Sequence, residues 1–167
     1  MWDFSFLFFI HFKEVIFIKR LLLVAITILL TFLFFSFSKA SLPSPIKGKV
    51  TSPYGTRINP ITHKKEFHTA TDISAPLGTP VLSPTDCVVA EIANDSIYGI
   101  FVKTQSDNLT FRFCHLSETS LKVGEKLKSG DEIGKVGNTG WATGPHLHLE
   151  MTRDDESVNP EKEMSFK

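Results

Sequence analysis

With 167 residues, the chain is long enough for one globular domain with its own hydrophobic core, and a short non-globular segment can precede that domain. Its 18 lysine and arginine residues balance 18 aspartate and glutamate residues, and charges of the two signs alternate along the chain. Because a protein that binds a phosphate backbone usually carries a basic stripe, we expect no nucleic-acid partner.

The beginning of the chain predicts an N-terminal hydrophobic helix in residues 1–40. An uncharged apolar run covers residues 21–37, and Lys13, Lys19 and Arg20 precede it. This order is typical of a membrane-targeting element whose basic end stays in the cytoplasm. The run suits either a signal peptide that is cleaved after Ala40 or a retained membrane anchor. We therefore expect the rest of the chain to be exported, as a periplasmic or cell-envelope protein that is secreted or anchored to the inner membrane.

The exported part is predicted to fold as short β-strands. Residues 41–47 contain two prolines and two serines and predict an extended linker, followed by a domain at residues 48–160 and a charged tail at 161–167. Turn formers separate segments rich in β-branched and aromatic residues, with no long helix between them. The candidate strands are residues 81–82, 88–93, 100–104, 109–114, 132–136 and 146–152. This pattern predicts an all-β fold, either a mostly antiparallel sheet or a sandwich.

Two cysteines, Cys87 and Cys114, lie within apolar strand segments. A disulfide between them is compatible with export, but cysteines in such segments are equally often small buried side chains. The sequence leaves both alternatives open. Because Cys114 directly precedes His115, a regular strand would point these two side chains to opposite faces.

Histidines are concentrated in three short motifs: FHTATD at His68, FCHLS at His115, and GPHLHLE at His146 and His148. A single histidine in a β domain is most often an ordinary surface or core residue. Since strand side chains alternate, however, His146 and His148 share one face while the leucines beside them take the other. His68 is separated from Asp72 by a segment with two β-branched threonines, which predicts an irregular loop leading into a strand. Such a loop can turn both side chains toward one ion.

Imidazole and carboxylate groups together suit a zinc ion. Two imidazoles and one carboxylate form a known catalytic zinc set, which leaves the fourth tetrahedral position open for water or substrate. A structural zinc site is usually closed and often contains several thiolates. The absence of cysteine from the histidine motifs therefore favours a catalytic site.

Ordered motifs give the chain a more specific resemblance. They are SPYGTRINPIT, FHTATDISAPLGTPV, FCHLS, VGEKLKSGDEIGKVGNTG and TGPHLHLE. In this order, and over about residues 48–160, they resemble the LytM/lysostaphin-type (M23) family of peptidoglycan endopeptidases. The resemblance implies a mostly antiparallel β-sheet with a groove across it. It also implies an enzyme that hydrolyses peptide bonds in the stem peptides or cross-links of peptidoglycan.

The resemblance also assigns roles to individual residues. It implies that His68, Asp72 and His148 bind one Zn²⁺ per chain, and that His115 and His146 form a catalytic pair beside the metal. It does not separate the roles of the two catalytic histidines. Peptidoglycan is then the expected partner, and we expect the chain to act as a monomer.

Two features of the motifs qualify this assignment. Ala70 stands where the family motif HTGxD usually has glycine, and its methyl group strains the backbone only if φ is positive there. Arg57 and Asn59 could line the groove, but an arginine that pairs within the fold is an equal alternative. We therefore leave Arg57 and Asn59 outside the predicted site.

Two other functions remain open from the sequence. A non-catalytic member of the family could bind or scaffold wall enzymes, although such proteins typically lose zinc ligands, and here all five positions are filled. A lipoyl or biotinyl carrier domain has a similar pattern of strands and turns, but the chain lacks the lysine-bearing hairpin motif of these carriers. Bound zinc near one per chain and chelator-sensitive cleavage would distinguish the enzyme from both.

Overall fold

The computed structural model describes residues 4–35 and 41–166, and the chain divides into two compact units, the second of which begins at Ser41. The first unit contains helix α1, Phe4–Phe35, so the predicted N-terminal helix is present. Among the described residues, no helix has both the length and the apolar character that a bilayer crossing requires. The predicted cleavage motif at residues 38–40 lies outside the described residues.

The described part of the second unit consists of short strands and one four-residue helix. In chain order these are β1 (Leu42–Pro43), β2 (Lys49–Ser52), β3 (Gly55–Ile58), β4 (Lys65–His68), β5 (Ala70–Ser74), β6 (Pro80–Leu82), β7 (Cys87–Asp95), β8 (Gly99–Ser106), β9 (Leu109–Glu118), β10 (Lys126–Leu127), β11 (Glu132–Val136), β12 (His146–Arg153), β13 (Glu156–Ser157), α2 (Pro160–Glu163) and β14 (Met164–Ser165).

The main sheet is antiparallel throughout. Its strand order is β10-β7-β8-β9-β12-β5-β2, while β11 pairs with both β6 and β9 and β13 pairs with β12. Strands β3 and β4 form a separate antiparallel hairpin, and the short β1 and β14 pair in parallel. The predicted all-β, mostly antiparallel fold is therefore confirmed.

The six segments predicted as strands all lie within strands, namely β6, β7, β8, β9, β11 and β12. The loop predicted between His68 and Asp72 is wrong, because His68 ends β4 and Asp72 lies in the middle of β5. Strand β5 is hydrogen-bonded on both sides, to β2 and to β12. These two neighbours satisfy its backbone groups, and a loop would have left them unpaired.

Alternation along β12 separates the core from the opposite face. Leu147, Leu149 and Met151 have no exposed surface and pack in the hydrophobic core. The residues between them, His146, His148 and Glu150, are only partly buried on the other face. This confirms the predicted division of the two faces at the HLH motif.

The two ends of the domain differ from the predicted linker and tail. Leu42 is paired with Met164 through the β1–β14 ladder. Ile46 and Met164 are 5% and 4% exposed, and both belong to the core cluster. Residues 41–47 and 161–166 are therefore part of the folded domain, because burial of these apolar side chains and backbone pairing outweigh the loop-like composition.

The disulfide considered from the sequence does not form. Cys87 and Cys114 are both buried and both free. The thiol of Cys87 lies 3.3 Å from the hydroxyl of Ser83. Each cysteine is therefore one of the small buried side chains that the sequence left as the alternative.

Candidate functional site

Three side chains from β4, β5 and β12 converge on one point. Asp72 and His148 are direct partners in the β5–β12 ladder, and His68 approaches from the end of β4. Nε2 of His68 lies 3.4 Å from Oδ1 of Asp72 and 3.4 Å from Nδ1 of His148. The third separation, between Oδ1 of Asp72 and Nδ1 of His148, is 2.7 Å. The structure thus brings together the three residues that the resemblance assigned to zinc.

These separations suit a tetrahedral metal site. Bonds of about 2.0–2.1 Å to zinc place neighbouring ligand atoms about 3.3 Å apart. The two distances from His68 match this value, and the third has hydrogen-bond length. No other group of three candidate ligands occurs among the described residues. Two imidazole nitrogens and one carboxylate oxygen therefore fit one zinc ion with three protein ligands.

Each of the two histidines in this trio has its other ring nitrogen directed at an acceptor. Nδ1 of His68 donates to the carbonyl oxygen of Pro53 at 3.1 Å, which leaves Nε2 for an ion. Nε2 of His148 lies 3.6 Å from a carboxylate oxygen of Glu150, and Nδ1 faces the trio. Metal-binding histidines usually have such an acceptor, which fixes the ring orientation and the tautomer.

Asp72 is held in place by Arg57, which sequence reasoning left outside the site. The guanidinium of Arg57 donates to Oδ2 of Asp72 at 2.9 Å, so that Oδ1 is the oxygen that faces the histidines. Arg57 also pairs with Glu66 at 2.9 Å and donates to Ser52 at 2.6 Å. The signal that could have found it is the opposite-charge pair of Arg57 and Glu66 across the β3–β4 hairpin.

The electrostatics of the trio favour a charged carboxylate. Burial raises the pKa of Asp72, but hydrogen bonds from His148 and His68 outweigh burial and hold this pKa well below its usual range. For His148, burial lowers the pKa, and the hydrogen bonds to Asp72 and Glu150 raise it above the usual value. Asp72 is therefore an anion at neutral pH, as a metal ligand must be.

Glu150 is itself fixed by a neighbouring arginine. Arg112, its partner in the β9–β12 ladder, donates to Glu150 at 2.8 Å. The guanidinium of Arg112 lies over the ring of Tyr98, 4.9 Å from the ring centre. These contacts hold the Glu150 carboxylate beside His148.

The two histidines assigned to catalysis lie beside the trio. The ring centres of His115 and His146 are 4.7 Å apart, and the ring of His115 is 5.5 Å from that of His148. Nε2 of His146 lies 3.9 Å from Oδ1 of Asp72. The resemblance therefore assigned five residues that the fold places within one small site.

In both histidines that the resemblance assigns to catalysis, the same ring nitrogen donates a hydrogen bond. Nδ1 of His115 donates to the carbonyl oxygen of Thr139 at 2.8 Å, and Nδ1 of His146 donates to that of Gly144 at 2.8 Å. A carbonyl oxygen can only accept, so Nδ1 carries the proton in each ring. When such a ring is neutral, Nε2 is the nitrogen that can accept a proton.

His115 is kept neutral by its surroundings. Burial, followed by the charge of His146, lowers the pKa of His115 to about 4. The residue also has a φ of 62°, in the left-handed region that non-glycine residues seldom adopt. Such backbone strain often occurs at functional sites.

The predicted orientation of Cys114 is wrong. Cys114 lies directly opposite His148 in the β9–β12 ladder, and paired residues of an antiparallel ladder share a face. The positive φ of His115 and the adjacent register shift between β8 and β9 interrupt the regular alternation. Burial raises the pKa of the Cys114 thiol far above its usual range, and Cys114 does not belong to the candidate ligand group among the described residues.

Ala70, which stands where the family motif usually has glycine, introduces no backbone strain. Ala70 is fully buried and is not among the residues with positive φ. Its methyl group therefore fits a normal strand backbone.

The site opens into a cleft of about 250 Å³. The candidate metal trio, the two histidines beside it and Arg57 line this cleft together with apolar side chains at its rim. Phe67, Ile97 and Trp141 of the rim are 58%, 53% and 54% exposed. An open cleft with polar groups inside and apolar side chains at its rim can receive an extended chain.

Comparison with known proteins agrees with the geometry. The profile of Peptidase family M23 matches residues 66–160. ShyA of Vibrio cholerae, named a peptidoglycan DD-endopeptidase, is 38% identical over 122 residues, which cover 72% of this chain and 28% of ShyA. The chain spans 31%, 28% and 26% of the lengths of three curated relatives that it matches.

Solved structures show the same domain. A zinc-containing peptidase from Vibrio cholerae superposes with a TM-score of 0.68 and 27% identity, covering 77% of this chain and 41% of that one. The catalytic domain of the prophage-encoded M23 protein EnpA from Enterococcus faecalis gives a TM-score of 0.60 and 35% identity, covering 72% of this chain and 95% of that one. The chain belongs to peptidase family M23.

Proposed function

We propose that the chain is a zinc-dependent endopeptidase that hydrolyses peptide bonds in the stem peptides or cross-links of peptidoglycan. The observation that carries this proposal is the convergence of His68, Asp72 and His148, with His115 and His146 beside them in one open cleft. All five residues that the chemistry needs are present. This favours an enzyme over a non-catalytic wall-binding or regulatory module.

A bound zinc ion would polarise the scissile carbonyl and lower the pKa of a water molecule to about 7. His68, Asp72 and His148 would hold it, and Arg57 would keep Asp72 in its orientation. The free Nε2 atoms of His115 and His146 would take up the proton of the attacking water and return it to the leaving amine. A ring that carries this proton can also donate a hydrogen bond to the developing oxyanion.

The substrate assignment is supported by the names of relatives and by the shape of the cleft. ShyA is named a peptidoglycan DD-endopeptidase, and Mpg of Neisseria meningitidis is named a DD-carboxypeptidase/endopeptidase. Peptidoglycan carries extended peptides, which an open cleft with apolar side chains at its rim can accommodate.

The place of action follows from the same reasoning. Peptidoglycan lies outside the cytoplasmic membrane, so the domain has to be exported to meet it. The apolar run that begins at Leu21, preceded by Lys19 and Arg20, suits a signal peptide or a membrane anchor. We propose a periplasmic or cell-envelope location, and a monomer with one Zn²⁺.

Incubation of the zinc-loaded chain with purified sacculi, followed by mass analysis of the released muropeptides, tests the proposal. We expect fragments whose masses identify a cleaved peptide bond, and we expect a chelator to stop their release. His146→Ala should retain zinc and lose at least about 100-fold in turnover, because general acid–base catalysis contributes on the order of 10²–10⁴-fold.

His63 provides the matched control. It is exposed in the β3–β4 turn with a φ of 58°, and His63→Asn keeps a side chain that tolerates this backbone. The control variant should cleave as the parent does. Cleavage by His146→Ala at the parental rate would contradict the catalytic role, and a chain that binds no zinc and releases no fragments would indicate a scaffold instead.

A further inference from the structure

The loop between β11 and β12 contains the sequence GNTG at residues 137–140, whose glycines suggest only a turn. Thr139 nevertheless makes three hydrogen bonds to two other strands. Its carbonyl accepts from Nδ1 of His115 at 2.8 Å, its hydroxyl donates to the carbonyl of Leu116 at 2.7 Å, and its hydroxyl accepts from the backbone N–H of Ile100 at 3.1 Å. One residue thus joins the loop to β8, to β9 and to the ring of His115.

Two glycines allow this loop to lie directly against the turn between β7 and β8. A Cβ added to Gly140 would lie 2.3 Å from the backbone nitrogen of Gly99, and a Cβ added to Gly99 would lie 2.2 Å from the Thr139 hydroxyl. Both glycines also have positive φ, 70° and 61°. The backbone of Trp141 adds a hydrogen bond to the carbonyl of Ile97 at 2.8 Å. The position of Thr139 is therefore closely constrained by backbone contacts.

His115 needs such support because its strand does not direct its ring in the regular way. Its φ of 62° departs from extended geometry, and its backbone N–H donates to the carbonyl of Tyr98 at 2.9 Å. Among the described residues, the ring of His115 makes one hydrogen bond, the one to Thr139. Loss of that contact would free the ring to rotate within the site.

We propose that Thr139 is a positioning residue for His115. Its hydroxyl fixes the β11–β12 loop to β8 and β9, so that its carbonyl holds Nδ1–H of His115 and directs Nε2 into the cleft. The kinetic consequence rests on the proposed function, whereas the orientation of the ring does not.

The variant Thr139→Val removes the hydroxyl and keeps the branched shape, and Thr139→Ser restores the hydroxyl. Thr119 is a matched control, because its hydroxyl also donates to one carbonyl, that of Ile133 at 2.7 Å, and accepts from one backbone N–H, that of Leu121 at 3.3 Å. Thr119→Val therefore loses the same kinds of hydrogen bond at a place without a catalytic histidine.

Two measurements on the zinc-loaded chain test the proposal. In NMR spectra of the imidazole groups, Thr139→Val should shift the Nδ1–H signal of His115 and speed its exchange with water at least about tenfold. Thr139→Val should also lower kcat about tenfold or more, with KM and zinc content little changed, since displaced catalytic groups commonly cost this much. Thr139→Ser should restore most of the parental NMR behaviour and kcat. Thr119→Val should differ from the parent in neither.

The two readouts separate this proposal from the proposed function. If the parent chain cleaves no peptidoglycan, the endopeptidase assignment fails while the NMR comparison still decides the role of Thr139. The role is overturned if the His115 signal in Thr139→Val matches that in Thr119→Val. In an active enzyme, it is equally overturned if the two variants have the same kcat.

Discussion

At the scale of single residues, the site depends on how the second polar atom of each side chain is held. His68, His115 and His146 each donate from Nδ1 to a backbone carbonyl, of Pro53, Thr139 and Gly144 respectively. Carbonyl acceptors fix the tautomer without adding charge, so that Nδ1 carries the proton of the neutral ring and Nε2 is left for an ion or a proton. The HxH alternation predicted the shared face of His146 and His148. It could not predict the carbonyls of Pro53 and Thr139, which lie 15 and 24 residues away from the histidines that they hold.

Arg57 should matter for zinc affinity more than for the fold. Arg57→Gln removes the charged partner of Asp72 Oδ2. Loss of a residue that hydrogen-bonds a metal ligand typically costs about 10–100-fold in metal affinity. Competition with a chromophoric chelator measures this directly. The matched control is Arg153→Gln, which breaks an arginine–carboxylate pair with Glu163 of 2.8 Å. Equal zinc affinity in the two variants would show that Arg57 does not orient the ligand.

His115 should make stability depend on pH in the chelator-treated chain. Its pKa in the folded state is about 4, below the unfolded value of 6.5, so between these values the unfolded chain binds more protons. Stability should therefore fall as pH falls through this window. Between about pH 7 and about pH 5, the free energy of unfolding should fall less in His115→Asn than in the parent chain, by about 2 kcal/mol. Denaturant titrations at both pH values test this, and identical losses in the two proteins would contradict the lowered pKa.

At the scale of elements, periodicity predicted the long strands well and the short ones poorly. Segments such as β9 and β12 have enough alternating or β-branched residues to be recognised locally. Strands β1 and β14 have two residues each and form only because opposite ends of the domain meet. The bulge that brings Cys114 and His115 to the site is likewise set by pairing between strands, so a single-strand pattern missed it.

The corrected boundary of the domain predicts that the C-terminal end contributes to stability. Met164 is 4% exposed and packs in the core, so Met164→Ala should lower the free energy of unfolding by about 2–5 kcal/mol. Leu77→Ala is the control, because Leu77 is 64% exposed. Urea denaturation measures both. A change no larger in Met164→Ala than in Leu77→Ala would mean that the tail frays as its composition suggested.

At the scale of the whole molecule, the sheet explains how distant motifs form one site. Strand β12 lies between β5 and β9, so it places His148 next to Asp72 on one side and near His115 on the other. The hairpin of β3 and β4 then adds His68 and Arg57 over the same face. The order of the motifs along the chain carried the family resemblance. The order of the strands in the sheet explains why these motifs meet in one site.

The most direct test of the account is the location of zinc in crystals of the chain grown with the metal, by anomalous diffraction at the zinc edge. The account predicts one zinc peak per chain, about 2.0–2.2 Å from Nε2 of His68, Oδ1 of Asp72 and Nδ1 of His148. A zinc peak bound by other side chains, or no peak at this trio, would contradict the assignment of the site.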